Sequence, residues 1–228
     1  MFEFLFLDLD DTILDFRKAE RIAIAKTIRE FGLEPTDEVL HRYHLINKWH
    51  WEQLELGKLT RAEVLENRFG VLFEEFGVRA DQAACARAYE HNLSQGHYFL
   101  PGAEEAVDRL SKKYRLFLAS NGTASVQKGR MTSANLYRFF EKVFVSQEIG
   151  HNKPSREYFE AAFAQIPGFN KDKCLMVGDS LTSDIRGGAN AGIKTCWFNP
   201  KGTENTSKLK PDYVIKDVAE VPELTNLQ

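Results

Sequence analysis

Three features that often reveal a protein's partner are missing from this chain: an excess of one charge, a long apolar run, and paired cysteines. Its 30 lysines and arginines nearly balance 33 aspartates and glutamates, for a formal charge of −3 over 228 residues. That leaves no electrostatic reason to bind nucleic acid or an anionic membrane, so small molecules become the expected partners. Phe2 to Leu7 is apolar, but Asp8 interrupts it before the core of a signal peptide can form. No run approaches the ~20 residues that cross a bilayer. The 3 cysteines, Cys85, Cys174 and Cys196, are scattered and lack metal-ligand spacing, which argues against a disulfide framework or a zinc site. They read as reduced thiols, Cys174 and Cys196 packed in strands. The expected location is the cytoplasm, with neither nucleic acid nor membrane as partner, as a monomer or a homodimer.

What is present is organised around the first stretch. Phe4-Leu5-Phe6-Leu7-Asp8-Leu9-Asp10-Asp11-Thr12 is a run of large apolar residues, too short for a helix, that ends in carboxylates and a hydroxyl. It reads as a buried parallel strand whose carboxyl end opens into a site, the edge at which open α/β sheets bind ligands. Asp8 and Asp10 are two residues apart and would project to the same side of an ideal strand. Two close carboxylates repel unless a cation holds them, and Mg²⁺, a hard ion that prefers oxygen ligands, suits them. The plainer reading is a strand running into an acidic turn.

After that strand, apolar residues recur at helical spacing over 17–28 and Gly32 closes the pattern. Further helices are expected from Pro35 to Gly57, from Thr60, whose Thr-Arg-Ala-Glu is a capping box, and over 81–93. Nothing before about His97 reads as a second strand. Then the pattern alternates: strands at 114–119, 142–145, 174–177, 194–198 and 213–215, and helices at 103–110, 125–136, 156–165 and 182–191. Alternation of this kind implies βαβ units. The expected fold class is α/β, an open parallel-sheet, Rossmann-like core formed by residues 1–14 and 98–228, with an inserted α-helical cap domain at 15–97.

Apolar strands end at Asp8/Asp10/Thr12, at Ser120/Asn121 and at Asp179/Asp184, and Lys153 sits in a loop before a helix. In a parallel sheet these ends face one edge and converge. A carboxylate cluster, small hydroxyl and amide donors and one cation suit phosphoryl transfer, which needs positioning and charge neutralisation above all.

Asp-Leu-Asp-Asp-Thr, Ser-Asn-Gly, Lys-Pro and Gly-Asp-Ser-Leu-Thr-Ser-Asp, in that order, resemble the four-motif signature of the haloacid dehalogenase-like hydrolase superfamily. Many members have Gly where this chain has Asp11, a common variation. The resemblance implies that Asp8 is a nucleophile forming an aspartyl-phosphate, with Mg²⁺ ligation alone as the lesser role. It implies that Asp10 is the general acid–base, and that Mg²⁺ is held by the Asp8 and Asp179 side chains and the Asp10 main-chain carbonyl. Asp184 would stand behind them, holding a metal-bound water or orienting Lys153 or, alternatively, capping the helix near Thr182. The Ser120 hydroxyl and the Asn121 amide would hold phosphate oxygens, unless they form only an Asn-Gly turn. Lys153 would balance the charge of phosphate and Asp8. Thr12 is grouped with these substrate-binding residues, orienting Asp10 or capping the turn. Dehalogenases of the superfamily lack the second Asp, which this chain has, so a phosphatase is expected over a dehalogenase or a non-catalytic phosphate-binding protein.

Leu45 to Thr60, with the Asp-Asp-Thr-Ile-Leu-Asp-Phe stretch, is similar to the pyrimidine 5′-nucleotidase group. That implies a nucleoside monophosphate substrate, with another small phosphorylated metabolite as the alternative. Trp49, Trp51, His44, Asn47 and His50 are the candidates to meet a base by stacking or edge contacts.

Overall fold

The computed structural model describes residues 1–224. Six parallel strands form one sheet: β1 (Phe4–Leu7), β2 (Arg115–Ser120), β3 (Lys142–Val145), β4 (Cys174–Gly178), β5 (Lys194–Phe198) and β6 (Tyr213–Ile215), in the order β3-β2-β1-β4-β5-β6. The first strand lies centrally. Chain connections run outward on both sides of it, so its carboxyl end is the topological switch point, the crevice where such sheets take ligands.

The alternation of β1 divides the core in two. Phe4 and Phe6 join Phe117, Phe144, Met176 and the helix Arg156–Phe163 on one face; Leu5 and Leu7 join Leu116, Leu118, Leu175 and the helix Ala103–Ser111 on the other. Side chains two apart share a face of a strand, and both faces are buried, so the strand is apolar without interruption. Phe6 packs on Phe117 at 5.3 Å and edge-on to Phe163 at 5.6 Å. Truncating such a core ring costs about 3–5 kcal/mol.

A separate cluster of buried apolar residues belongs to the insertion: α1 (Phe16–Glu30), α2 (Asp37–Glu55), α3 (Arg61–Glu75) and α4 (Gln82–Ser94). Each starts on a capping side chain, Asp15, Thr36, Thr60 and Asp81, and the Thr60–Glu63 capping box forms as expected. The two crossings between insertion and sheet lie side by side: the Asp15 amide donates to Tyr98 at 2.7 Å and the Leu100 amide to Ile13 at 3.0 Å. Helix α4 rests on the core helix Ala124–Ser133 so closely that a Cβ at Gly129 would lie 2.8 Å from the Ser94 carbonyl.

Three expectations shift. The helix expected to reach Leu136 ends at Ser133, where Asn135 turns to φ 53°. The helix expected over 182–191 opens as a π turn, Leu181–Ile185, before regular α-helix at Arg186–Ala191. And β1 stops at Leu7, so Asp8 and Asp10 are not paired by strand alternation; Leu9 to Leu14 form a turn closed by Ile13 and Leu14 amides on the Leu9 carbonyl. Among the described residues no helix is long and apolar enough to cross a membrane.

Candidate active site

Asp8 continues the ladder one step past β1, its amide donating to Val177 at 3.0 Å. Its Oδ1 accepts from Lys153 Nζ at 2.7 Å. That ammonium, only 1% exposed, also donates to the Ala119 carbonyl and to Asp184 Oδ1, each at 2.6 Å, which uses all three of its protons. Asn121 fixes the lysine from behind: its side-chain amide donates to the Lys153 carbonyl and accepts from the Lys153 amide, both at 2.8 Å. Asn121 therefore does more than shape a turn.

Asp184 closes the other side. Its Oδ2 accepts from the Ser180 amide at 3.1 Å, and the π turn brings the carboxylate back across Gly178. A Cβ at Gly178 would sit 2.2 Å from that oxygen, so the glycine is required by the close approach. Asp8, Asp179 and Asp184 each place a carboxylate oxygen within 4.8 Å of the others. Burial, followed by the neighbouring carboxylates, pushes the Asp179 carboxyl well above the ordinary range. Burial likewise raises Asp8 to about 8, against the opposing pull of Lys153, with Asp184 and Asp10 adding to the rise. For Lys153, burial alone would lower the pKa, but Asp184 and Asp8 outweigh it and keep the ammonium charged. A buried set of hard oxygen donors that resists ionisation is suited to a divalent cation.

Thr12, expected with the substrate-binding groups, stands behind the site instead. It is fully buried and its hydroxyl accepts from the Asp179 amide at 3.1 Å, tying the turn after β1 to the end of β4. The turn after β1 owes its shape to Asp11, at φ 56°, whose Oδ1 accepts from the Phe16 amide at 3.0 Å.

Asp10 is gripped by two residues that no sequence pattern singled out. Arg130 Nη1 donates to Oδ1, and Gln127 Nε2 donates to Oδ2 at 2.6 Å. Gln127 also donates to Ser120 Oγ at 2.8 Å, so Ser120 and Asp10 share a neighbour.

These groups floor a cavity of about 350 Å³ whose upper wall comes from the insertion. There Glu20 Oε2 meets His44 Nδ1 at 2.6 Å and Glu20 Oε1 accepts from Asn47 at 2.6 Å. Asn47 in turn accepts from Arg68 at 2.6 Å and from the Trp51 indole at 3.1 Å. The Glu20 hydrogen bond outweighs burial and raises the His44 pKa. His44, Asn47 and Trp51 thus line the cavity, whereas two other candidates do not. Trp49 is 52% exposed, and the buried His50 makes its Nδ1 contact with the Ile46 carbonyl one turn back, at 2.8 Å. Residues 44, 47 and 51 share one helix face; 49 and 50 lie off it.

Two further residues of the insertion bond to the core. Arg61 donates to the Asn121 and Gly122 carbonyls at 3.1 and 3.2 Å, to Ser146 Oγ at 2.6 Å and to Asn152 Oδ1 at 2.7 Å, while its guanidinium lies 5.5 Å from the Trp51 ring. Glu55 accepts from Thr182 Oγ1 at 2.7 Å.

A parallel sheet with β1 at its switch point, an acid-rich floor around one buried lysine, and a helical insertion above it define the class. The chain belongs to the haloacid dehalogenase-like hydrolases, whose family profile matches residues 5–198, and it is an enzyme. It is 39% identical to the pyrimidine 5′-nucleotidase PynA of Streptococcus pneumoniae (strain ATCC BAA-255 / R6), over 94% of this chain and 91% of that protein. It is 26% identical to the pyrimidine 5′-nucleotidase YjjG of Escherichia coli (strain K12), over 97% of each. With YfnB of Bacillus subtilis (strain 168), whose own name goes no further than HAD-hydrolase, it shares 37% identity over 98% of this chain and 95% of that one. The YfnB crystal structure, bound to magnesium, matches with a TM-score of 0.94 over 99% of both chains.

Proposed function

We propose that the protein is a Mg²⁺-dependent phosphomonoester hydrolase that works through an aspartyl-phosphate on Asp8 and acts on pyrimidine nucleoside 5′-monophosphates. Residues 15–97 serve as the cap over a core of 1–14 and 98–228. The observation that carries this is the lysine-held Asp8 at the floor of the cavity, with Asp10 beside it.

Lys153 holds one oxygen of Asp8 and leaves the other to attack phosphorus. The P–O bond to the alcohol breaks as Asp10 delivers a proton to the departing oxygen. Asp10 then takes a proton from the water that cleaves the acyl phosphate, releasing inorganic phosphate and restoring Asp8. The Ser120 hydroxyl and the Asn121 main-chain amide hold phosphate oxygens, and Lys153 offsets their charge. The side chains of Asp8 and Asp179 and the Asp10 carbonyl would hold Mg²⁺, which when bound would neutralise phosphate charge. Asp184 serves here as support for Lys153, accepting from its ammonium and from the Ser180 amide.

For the substrate, the names of PynA and YjjG favour a pyrimidine nucleotide. Trp51 offers a base one aromatic face, and His44 an edge donor. A sugar phosphate is the second reading, because Glu20, His44, Asn47 and Arg68 make the wall polar enough for hydroxyl groups. The test is kcat/KM for dUMP, dTMP, dAMP and glucose 6-phosphate, with Mg²⁺, with Ca²⁺ and after EDTA, for the native enzyme and Asp8→Asn. The proposal expects the pyrimidines to lead, EDTA to abolish turnover, Ca²⁺ to restore it poorly, and Asp8→Asn to be inert. Substantial turnover by folded Asp8→Asn would end the covalent reading. A purine or hexose ester outpacing both pyrimidines would end the substrate reading.

A further inference from the structure

Arg130 is the largest fully buried side chain of the described residues, and packing alone does not account for it. One of its nitrogens, Nη2, is buried without a hydrogen-bond partner. A buried cation with an unused donor is a liability that a core residue would not impose. Its other contacts show where it is useful. Nη1 donates to Asp10 Oδ1 and to Gln127 Oε1, the latter at 3.1 Å; Nε donates to the Gly96 carbonyl at 2.9 Å; and the guanidinium lies 5.7 Å from the Phe16 ring. Gly96 belongs to the crossing that returns from the insertion to the sheet, and Phe16 begins the helix just after the outgoing one. One cation therefore touches Asp10 and both crossings.

Building on the phosphatase reading, we propose that Arg130 is a positioning residue, which together with Gln127 aims the Asp10 carboxyl at the departing oxygen and ties that aim to the crossings on which the cap hangs. Asp10 has both oxygens engaged, Oδ1 by Arg130 and Oδ2 by Gln127, and Gln127 is itself held by Arg130 and Ser120. The pair fixes the carboxyl's orientation through both of its oxygens. The site that receives the phosphoryl group, Asp8 with Lys153, has no bond to Arg130.

The consequence is selective by leaving group. An alkyl phosphate such as a nucleoside monophosphate expels a strongly basic alkoxide unless a proton reaches its oxygen as the P–O bond breaks. An aryl ester such as p-nitrophenyl phosphate expels a stable phenolate and needs that proton far less. Misaiming the acid therefore slows the alkyl ester more than the aryl one, whereas a general loss of structure slows both alike.

The experiment measures kcat/KM for dUMP and for p-nitrophenyl phosphate in the native enzyme, Arg130→Met, Arg130→Lys, Gln127→Leu, Asp10→Asn and Asp8→Asn. Acid–base assistance is worth about 10²–10⁴-fold. We expect the ratio of alkyl to aryl kcat/KM to fall by about 100-fold in Asp10→Asn and Arg130→Met, the lower end of that range, and by about tenfold in Gln127→Leu, below it because Arg130 still holds one oxygen. Turnover of the aryl ester reports that the site has folded. Should Arg130→Met be too unstable to assay, the same ratio in Arg130→Lys and Gln127→Leu decides. Equal losses on both esters in the Arg130 and Gln127 variants would overturn the proposal while leaving the phosphatase reading intact. Turnover surviving in Asp8→Asn would instead strike the phosphatase reading.

Discussion

Replacing Lys153 by Met keeps an unbranched side chain, ends it where the ammonium would begin, and so isolates what the ammonium does. In the native fold that ammonium satisfies Asp8, Asp184 and the Ala119 carbonyl at 2.7, 2.6 and 2.6 Å, with Lys153 and Asp184 at 1% and 0% exposure. Solvent cannot replace it. Breaking a buried ion pair from one side costs about 3–5 kcal/mol, and an orphaned buried carbonyl about 1–3 kcal/mol more. The two effects share one neighbourhood and do not add in full, so the expected loss is about 4–6 kcal/mol. That is a large share of the ~5–15 kcal/mol that holds a typical domain. The assay is urea unfolding with EDTA above about pH 8, where Asp8 of the native protein carries its charge. Adding Asp184→Asn to Lys153→Met removes one of the stranded carboxylates and recovers about 1–3 kcal/mol. Catalysis is lost in both. A cost below about 1 kcal/mol for Lys153→Met, the range of an exposed pair, would refute the assignment of this lysine as the buried counter-charge.

Asp8 also predicts a pH dependence. Its folded pKa is raised from 3.8 to about 8, so in this window the folded state binds the extra proton, and stability declines as pH rises from about 4 to about 8. The loss attributable to Asp8 is at most on the order of 6 kcal/mol at ~1.4 kcal/mol for each pH unit. In metal-free protein, Asp8→Asn flattens that part of the curve, and parallel curves for the two proteins would contradict the assignment. At the upper wall, Trp51→Ala lowers kcat/KM for dUMP relative to glucose 6-phosphate by about ten- to a hundredfold, the worth of one base-stacking contact. Trp49→Ala, at an exposed position, leaves that ratio within about twofold, since surface substitutions away from a site do little; a ranking altered by Trp49 and not by Trp51 would reverse the description of the wall.

Much of this was legible in the sequence because parallel strands buried on both faces are unbroken apolar runs, and the first polar residue after each run is visible as a break. Asp8, Ser120, Lys153 and Asp179 are such residues or sit in such loops, and the sheet topology does bring them to one edge. Thr12 was legible as a polar strand-end residue but not as a group that bonds the Asp179 amide, since that depends on β1 stopping at Leu7 and the turn folding under β4. Trp51 and Trp49 could have been separated by helical spacing, because 44, 47 and 51 share a face that 49 does not. Arg130 and Gln127 left no such signal. A basic residue on a helix that follows a strand normally marks a solvated face, and only the packing of α4 against that helix turns Arg130 inward. Arg61 and Glu55 are similarly silent: each bonds a partner 60 or more positions away. The π turn at Leu181–Ile185 has no periodicity of its own; it is set by Ser180, whose carbonyl accepts from the Asp184 and Ile185 amides.

The most direct test of the covalent route is the stereochemical course at phosphorus, followed with a phosphorothioate ester made chiral by two oxygen isotopes and hydrolysed in water of the third, so that the thiophosphate released is itself chiral. Attack by Asp8 and then by water is two in-line displacements, each inverting, so the account predicts that thiophosphate is released with net retention. Net inversion would mean that water attacks the ester directly, and Asp8 would then be a ligand or a base but not the nucleophile.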